Sequence, residues 1–145
     1  ILIVDEPTAG LDPVERVKVR LLLARLAEHR LVIFSTHLVE DLEHTCNHLA
    51  VMNDGRLIFQ GTPEDLRGEF RGRLWDVLPG ADESEDALRA RLAGVPGKQL
   101  YRVVREGRQG FRWLDLPVSG ITGSRAVEAT LDDALTALLG VVKKG

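Results

Sequence analysis

Polarity along the chain is organised around its first stretch, where the apolar run Ile1-Leu2-Ile3-Val4 meets Asp5-Glu6-Pro7. A short apolar run with no polar alternation predicts a central strand of a parallel sheet, covered on both faces. Pro7 cannot continue that strand, so the two carboxylates fall at its C-terminal edge, where open α/β sheets place their ligand crevices. Asp12-Pro13-Val14-Glu15 predicts a helix start, with Asp12 as cap, Pro13 at the first helical position and Glu15 placed for a capping box. That helix is expected to reach about His29, with Val17, Leu21 and Ala24 in a broad apolar stripe. Leu31–Phe34 predicts a second buried strand, parallel to the first because a helix joins them. His37 therefore arrives at the same sheet edge as Asp5 and Glu6.

Further on, Leu38–Cys46 predicts a short helix with Leu38, Leu42 and Thr45 inward. Leu49–Met52 and Leu57–Phe59 flank Asn53-Asp54-Gly55-Arg56, and Asp-Gly between apolar runs signals a hairpin. Thr62-Pro63-Glu64-Asp65 starts another helix by the same cap-and-proline logic. Arg67, Arg71 and Arg73 with scattered glycines near Gly68 to Gly72 predict a connector. Beyond it come a strand at Leu74–Leu78, a helix at Ser84–Leu92 closed by Gly94, and a second hairpin. Its strands are Leu100–Arg105 and Phe111–Leu116, joined by residues 106–110. A final helix spans Thr130 to Leu139, capped by Thr130 and Asp133, with Leu131, Leu135 and Leu138 inward. Strand, helix, hairpin, helix predicts a small α+β appendage. The expected division is therefore 1–69 and 70–145, without internal repeats.

Composition narrows this only slightly. In 145 residues, 44% hydrophobic and 28% charged content is ordinary for a globular protein. A net charge of −3 gives no electrostatic footprint for nucleic acid. No apolar run approaches the roughly 20 residues that cross a bilayer, and no secretory leader is visible. Cys46 stands alone, which fits a reducing compartment. Ile1 opens the chain without an initiator Met, on a strand expected to be buried, so the chain is expected to be a fragment.

The order of motifs carries the chemistry. An apolar strand ending in acids would also open a response-regulator receiver, but the chain holds no convincing later pair of phosphoacceptor Asp and Lys. It continues instead with Thr8-Ala9-Gly10-Leu11-Asp12-Pro13, a helix, and then Leu31-Val32-Ile33-Phe34-Ser35-Thr36-His37. That succession resembles the second half of an ABC-type ATPase nucleotide-binding domain: Walker B strand and glutamate, D-loop, and switch histidine. The stretch from Gly55 to Leu66 also resembles the family's segment after that histidine. Ala129-Thr130-Leu131-Asp132-Asp133-Ala134-Leu135 resembles the tail of bacterial drug- and antibiotic-export ABC ATPases. The resemblance implies an α/β fold: a partial P-loop NTPase (RecA-like) parallel sheet followed by a small α+β C-terminal domain.

It further implies Mg²⁺ and ATP as cofactors. Asp5, at a strand end, suits Mg²⁺, directly or through water. Glu6 resembles the general base that orders the attacking water. His37 resembles the histidine that contacts the γ-phosphate, and Asp12 the D-loop aspartate beside the partner's site in a closed dimer. The implied partners are a second ATPase subunit and a transmembrane permease, with the chain cytoplasmic and peripheral on the inner face of the membrane. Each residue has a plainer reading, as a turn cap, a helix cap or a surface histidine; only their conjunction in order favours a site. His44 and His48, at i and i+4, supply too few ligands for zinc by themselves. Trp75, Tyr101, Phe111 and Trp113 are expected in a core. Arg102, Arg105, Arg108 and Arg112 are expected on a solvated face.

No GxxxxGK[ST] loop occurs in these residues, nor does an LSGGQ-like signature; in the family both lie upstream of the Walker B strand. The chain is thus expected neither to bind ATP tightly nor to hydrolyse it alone. Two other readings stay open. One is a non-enzymatic dimerisation or regulatory module, the other a non-transport ABC ATPase. The D-loop sequence argues against the latter.

Overall fold

The structure, a computed structural model, describes residues 1–116 and 121–140. It is a mixed α/β fold with one parallel pair and two antiparallel sheets. The chain divides into two compact units, Ile1–Asp65 and the remainder from Leu66.

In the first unit, β1 (Leu2–Asp5) and β2 (Val32–Ser35) pair in parallel, with Asp5 opposite Ser35. The helix α1 (Pro13–Ala27) joins them. Asp12 caps it, accepting from the amides of Val14 and Glu15 at 2.9 Å each. Glu15 does not close the expected box: it pairs with Lys18 at 2.8 Å.

Two expectations about burial fail here. The strands are not covered on both faces. Leu2, Val4, Val32 and Phe34 are partly buried, whereas Ile3 and Ile33 are 73% and 49% exposed. Two strands with side chains alternating across the pleat have a covered face and an open one. The expected stripe on α1 is also displaced: Val17, Leu21 and Ala24 lie exposed, while Leu23 is buried with Val19 and Leu26 half-buried beside it. The helix carries two apolar stripes, and sequence periodicity does not choose between them.

Helix α2 (Val39–Thr45) comes next, then the hairpin β3 (Leu49–Asn53) and β4 (Arg56–Gly61). Asp54 and Gly55 both take positive φ, 48° and 73°. That is the turn which matches the strand twist, and the reason Asp-Gly stands there. Helix α3 (Pro63–Glu69), inside which the two units divide, opens on a box: Thr62 and Asp65 exchange side chain-to-backbone bonds of 2.9 and 3.0 Å.

The second unit is a four-stranded antiparallel sheet in the order β6-β7-β5-β8. Its strands are β5 (Leu74–Val77), β6 (Lys98–Arg105), β7 (Arg108–Leu114) and β8 (Ser124–Val127), with helices α4 (Glu85–Leu92) and α5 (Leu131–Leu139). Residues 106–110 are not a five-residue loop. Glu106 and Gly107 alone turn the chain, both at positive φ, and Arg108 already pairs with Arg105. The edge strand β8, too short to show a period, has no counterpart among the expected elements. Val77, Leu88, Leu92, Phe111, Trp113 and Leu116 form a core on the side of α4.

On the opposite face Arg112 corrects the expectation of a solvated arginine row. It is 4% exposed and donates to Asp76 and Asp133 at 2.5 Å each. Asp133 also accepts a hydrogen bond from the Tyr101 hydroxyl and forms a box with Thr130 at the start of α5. Burial and the neighbouring carboxylate push the Tyr101 phenol far above its ordinary pKa. Arg102 and Arg105 do reach solvent, paired with Glu85 and Asp76.

Candidate functional site at the parallel strand ends

The parallel register brings the two strand ends together. Ser35 donates its hydroxyl proton to Asp5 Oδ1, and the Glu6 N–H donates to both the carbonyl and the hydroxyl of Ser35, at 3.1 and 3.2 Å. Glu6 then leaves the strand at φ 46°, in the left-handed region that a side chain with a Cβ rarely adopts. This turn lets its carboxylate meet His37: Glu6 Oε1 lies 2.8 Å from His37 Nδ1. An ionised carboxylate can only accept, so Nδ1 carries the proton in this contact. The other oxygen, Glu6 Oε2, is buried with no hydrogen-bond partner, while the His37 side chain is 71% exposed.

The structure therefore brings Asp5, Glu6 and His37 to one edge. Asp12 sits further along the same loop, with its carboxylate engaged at the end of α1. Four side chains that sequence reasoning passed over surround them: Ser35, Thr8, Thr36 and Asp41. Thr8 and Asp41 are each 1% exposed. One signal was available for Asp41. It falls at i+3 from Leu38 and just before Leu42 on the inward face of α2, where an acid is out of place without partners.

Asp5 and Ser35 offer oxygen donors only, the chemistry a hard divalent cation prefers. Among the described residues, no three His, Cys, Asp or Glu side chains gather closely enough to hold a metal unaided. The set fits Mg²⁺ bound through one carboxylate, with water and phosphate oxygens completing the shell. A hollow of about 380 Å³ between α1 and α2, lined by Ala24, Glu28, Glu43, His44 and Cys46 among others, involves none of the four expected site residues. Burial pushes the Cys46 thiol pKa up, away from reactivity.

No family model matches the chain. Individual proteins do. Over 135 residues the chain is 33% identical to Nod factor export ATP-binding protein I of Cupriavidus pinatubonensis, covering 82% of this chain and 41% of that protein. It is 36% identical over 115 residues to ABC transporter A family member 6 of Arabidopsis thaliana, covering 78% and 12%. The phospholipid-transporting ATPase ABCA7 of Homo sapiens is 34% identical over 122 residues, covering 83% and 6%.

The similarity supports the ABC ATPase family.

The chain spans less than half the length of each of these ABC relatives. With 82% of the chain aligned, the likeness to the export protein necessarily runs beyond the first unit, Ile1–Asp65, into the second. Among the described residues no helix is long and apolar enough to cross a membrane.

Proposed function

We propose that this chain is the C-terminal portion of the ATP-binding subunit of a bacterial ABC exporter. In the intact protein Mg-ATP would be hydrolysed between two such subunits to drive a separate transmembrane permease, at the cytoplasmic face of the membrane. The observation that carries this reading is the Glu6–His37 contact, formed at the strand edge that also presents Asp5. A carboxylate base, an orienting histidine and a cation-binding carboxylate are part of what an in-line attack of water on a phosphoryl group requires.

Mg²⁺, when bound, supplies neutralising charge to the phosphates. Asp5 would be the residue that holds it. Glu6 would receive the proton of the attacking water on its carboxylate. In its imidazolium form His37 has two donors. Nδ1 serves Glu6 while Nε2 is free for a phosphate oxygen, so one ring aligns base and phosphate. Asp12 stiffens the loop between Glu6 and α1 by its cap, and in a closed dimer would lie beside the partner's nucleotide. Two features support the fragment reading: the open apolar face of β1 and β2, and relatives more than twice as long.

The chain with its upstream coding sequence restored is expected to bind and hydrolyse ATP. There, Glu6→Gln should lower turnover by roughly 10²–10⁴-fold while ATP binding persists. The 145 residues alone should show no saturable micromolar ATP binding; saturation in that range would overturn the fragment reading. The alternative, a non-enzymatic dimerisation or regulatory module derived from an ABC ATPase, is favoured only by the separate core of the second unit. A start codon directly before Ile1 would turn the balance to it.

A further inference from the structure

Asp41 is the one carboxylate of the first unit that is almost wholly buried, and it lies between the two loops that deliver Glu6 and His37. Thr8, two residues beyond Glu6, donates its hydroxyl proton to Asp41 Oδ2. Thr36, next to His37, donates to the same oxygen at 3.3 Å and accepts from the Leu38 N–H at 3.0 Å. From α1, the Arg20 guanidinium stands 3.7 Å from Asp41 Oδ1 and donates to the Glu40 carbonyl at 3.2 Å. A charge so deeply placed persists only with counter-charge and hydrogen bonds; here Thr8 and Thr36 supply the hydrogen bonds on Oδ2 and Arg20 of α1 the counter-charge, while Oδ1 has no hydrogen-bond partner.

The Glu6 backbone needs such support. Its positive φ costs of order 1–3 kcal/mol and is stable only where the surroundings over-determine it. Beyond Glu6, the Ala9 N–H donates to the Glu6 carbonyl at 3.1 Å and the Leu11 N–H to the Thr8 carbonyl at 3.3 Å. These bonds make the loop a rigid turn, and its one buried side-chain anchor is Thr8 on Asp41. Thr36 fixes the other loop on the same oxygen.

We propose that Asp41 is a positioning residue: through Thr8 and Thr36 it holds the Glu6 turn and the His37 loop at the separation where Glu6 Oε1 and His37 Nδ1 meet. Its side chain is 1% exposed, so it acts through the two threonines. The proposal rests on the reading of Glu6 and His37 as the working pair, but its test needs no nucleotide, so the two fail separately.

The readout is the tautomer of neutral His37 in the 145-residue chain, from ¹⁵N ring shifts recorded at alkaline pH. The Glu6 contact selects the Nδ1–H form, because the partner of one ring nitrogen fixes the proton on the other. Glu6→Gln supplies the reference for a weakened contact. Thr8→Val, which removes the hydroxyl and keeps the volume, is expected to shift the Nδ1–H to Nε2–H ratio toward the free-imidazole value by about tenfold. Amide shifts of β1, β2 and α1 should stay in place, and Thr8→Ser should restore the ratio. Asp41→Asn should act in the same direction; if it fails to fold, Thr8→Val decides. An unchanged tautomer in Thr8→Val overturns the proposal, as does a wild-type ring already in the Nε2–H form. Loss of the Nδ1–H form only through general unfolding of Thr8→Val would also overturn it, leaving Asp41 a packing residue.

Discussion

Arg73 grips Asp115 through two N–H···O bonds of 2.8 Å, the planar fork that guanidinium and carboxylate share. This holds the Asp115 carboxyl below its ordinary pKa. With a depressed folded-state pKa, the stabilisation is complete above the unfolded value of about 3.9 and is lost as pH falls through that value toward the folded one. Arg73→Gln is therefore expected to let Asp115 titrate at higher pH, followed by its carboxyl chemical shift. The acid side of the stability profile should flatten with it; an unchanged titration would show the pair to be inconsequential. Neither this pair nor the buried Arg112 was legible in the sequence, and for one reason. Arg102, Arg105, Arg108 and Arg112 recur along two strands without any local mark of which one a later helix covers. Asp5, Glu6 and His37 were legible as neighbours because apolar runs leading into polar residues mark strand ends, and a helix between two strands makes the ends parallel. Their mutual contact, which depends on the left-handed turn at Glu6, was not.

Among the elements, Gly110 of β7 lies tight against the end of β5, where Val77 pairs with its neighbour Phe111. A Cβ there would stand 2.3 Å from the Val77 carbonyl oxygen and 2.8 Å from Leu78 Cδ2. Backbone cannot yield as a flexible side chain does. Gly110→Ala is accordingly expected to cost about 1–3 kcal/mol in urea unfolding, the range of overpacked interiors. An unaltered midpoint would mean that the strands can part freely. Helix ends were the most readable elements, since caps act over three or four residues: Asp12, Thr62, Ser84 and Thr130 each stand where their chemistry predicts. Apolar faces were less readable. The stripe Val17, Leu21, Ala24 and the stripe Val19, Leu23, Leu26 satisfy the same periodicity, and only packing distinguishes them.

Taken as a whole molecule, the chain leaves Ile1, Ile3, Leu31 and Ile33 exposed on or beside its parallel strands, with Val17 and Leu21 exposed on α1. Exposed apolar side chains of this kind attract other apolar molecules. The 145-residue chain is thus expected to enhance the fluorescence of a hydrophobic dye in native buffer, and Ile3→Thr with Ile33→Thr should lower it at unchanged helix content. Equal fluorescence from both proteins would place the dye elsewhere.

In the second unit the carboxylate of Asp133 has the opposite consequence. One of its oxygens closes the first turn of α5 through Thr130 and also receives Arg112 from the middle of the sheet. Starting the helix and docking it on the strands therefore draw on the same atom. Undocking α5 would strip the buried Arg112 of one of its two carboxylate partners and leave it on Asp76 alone, and fraying its first turn would loosen the anchor of the sheet's central row. Helix and sheet are bound to open together, so amide protection along α5 and β7 should rise and fall as a single cooperative block rather than fade from the C-terminal end inward.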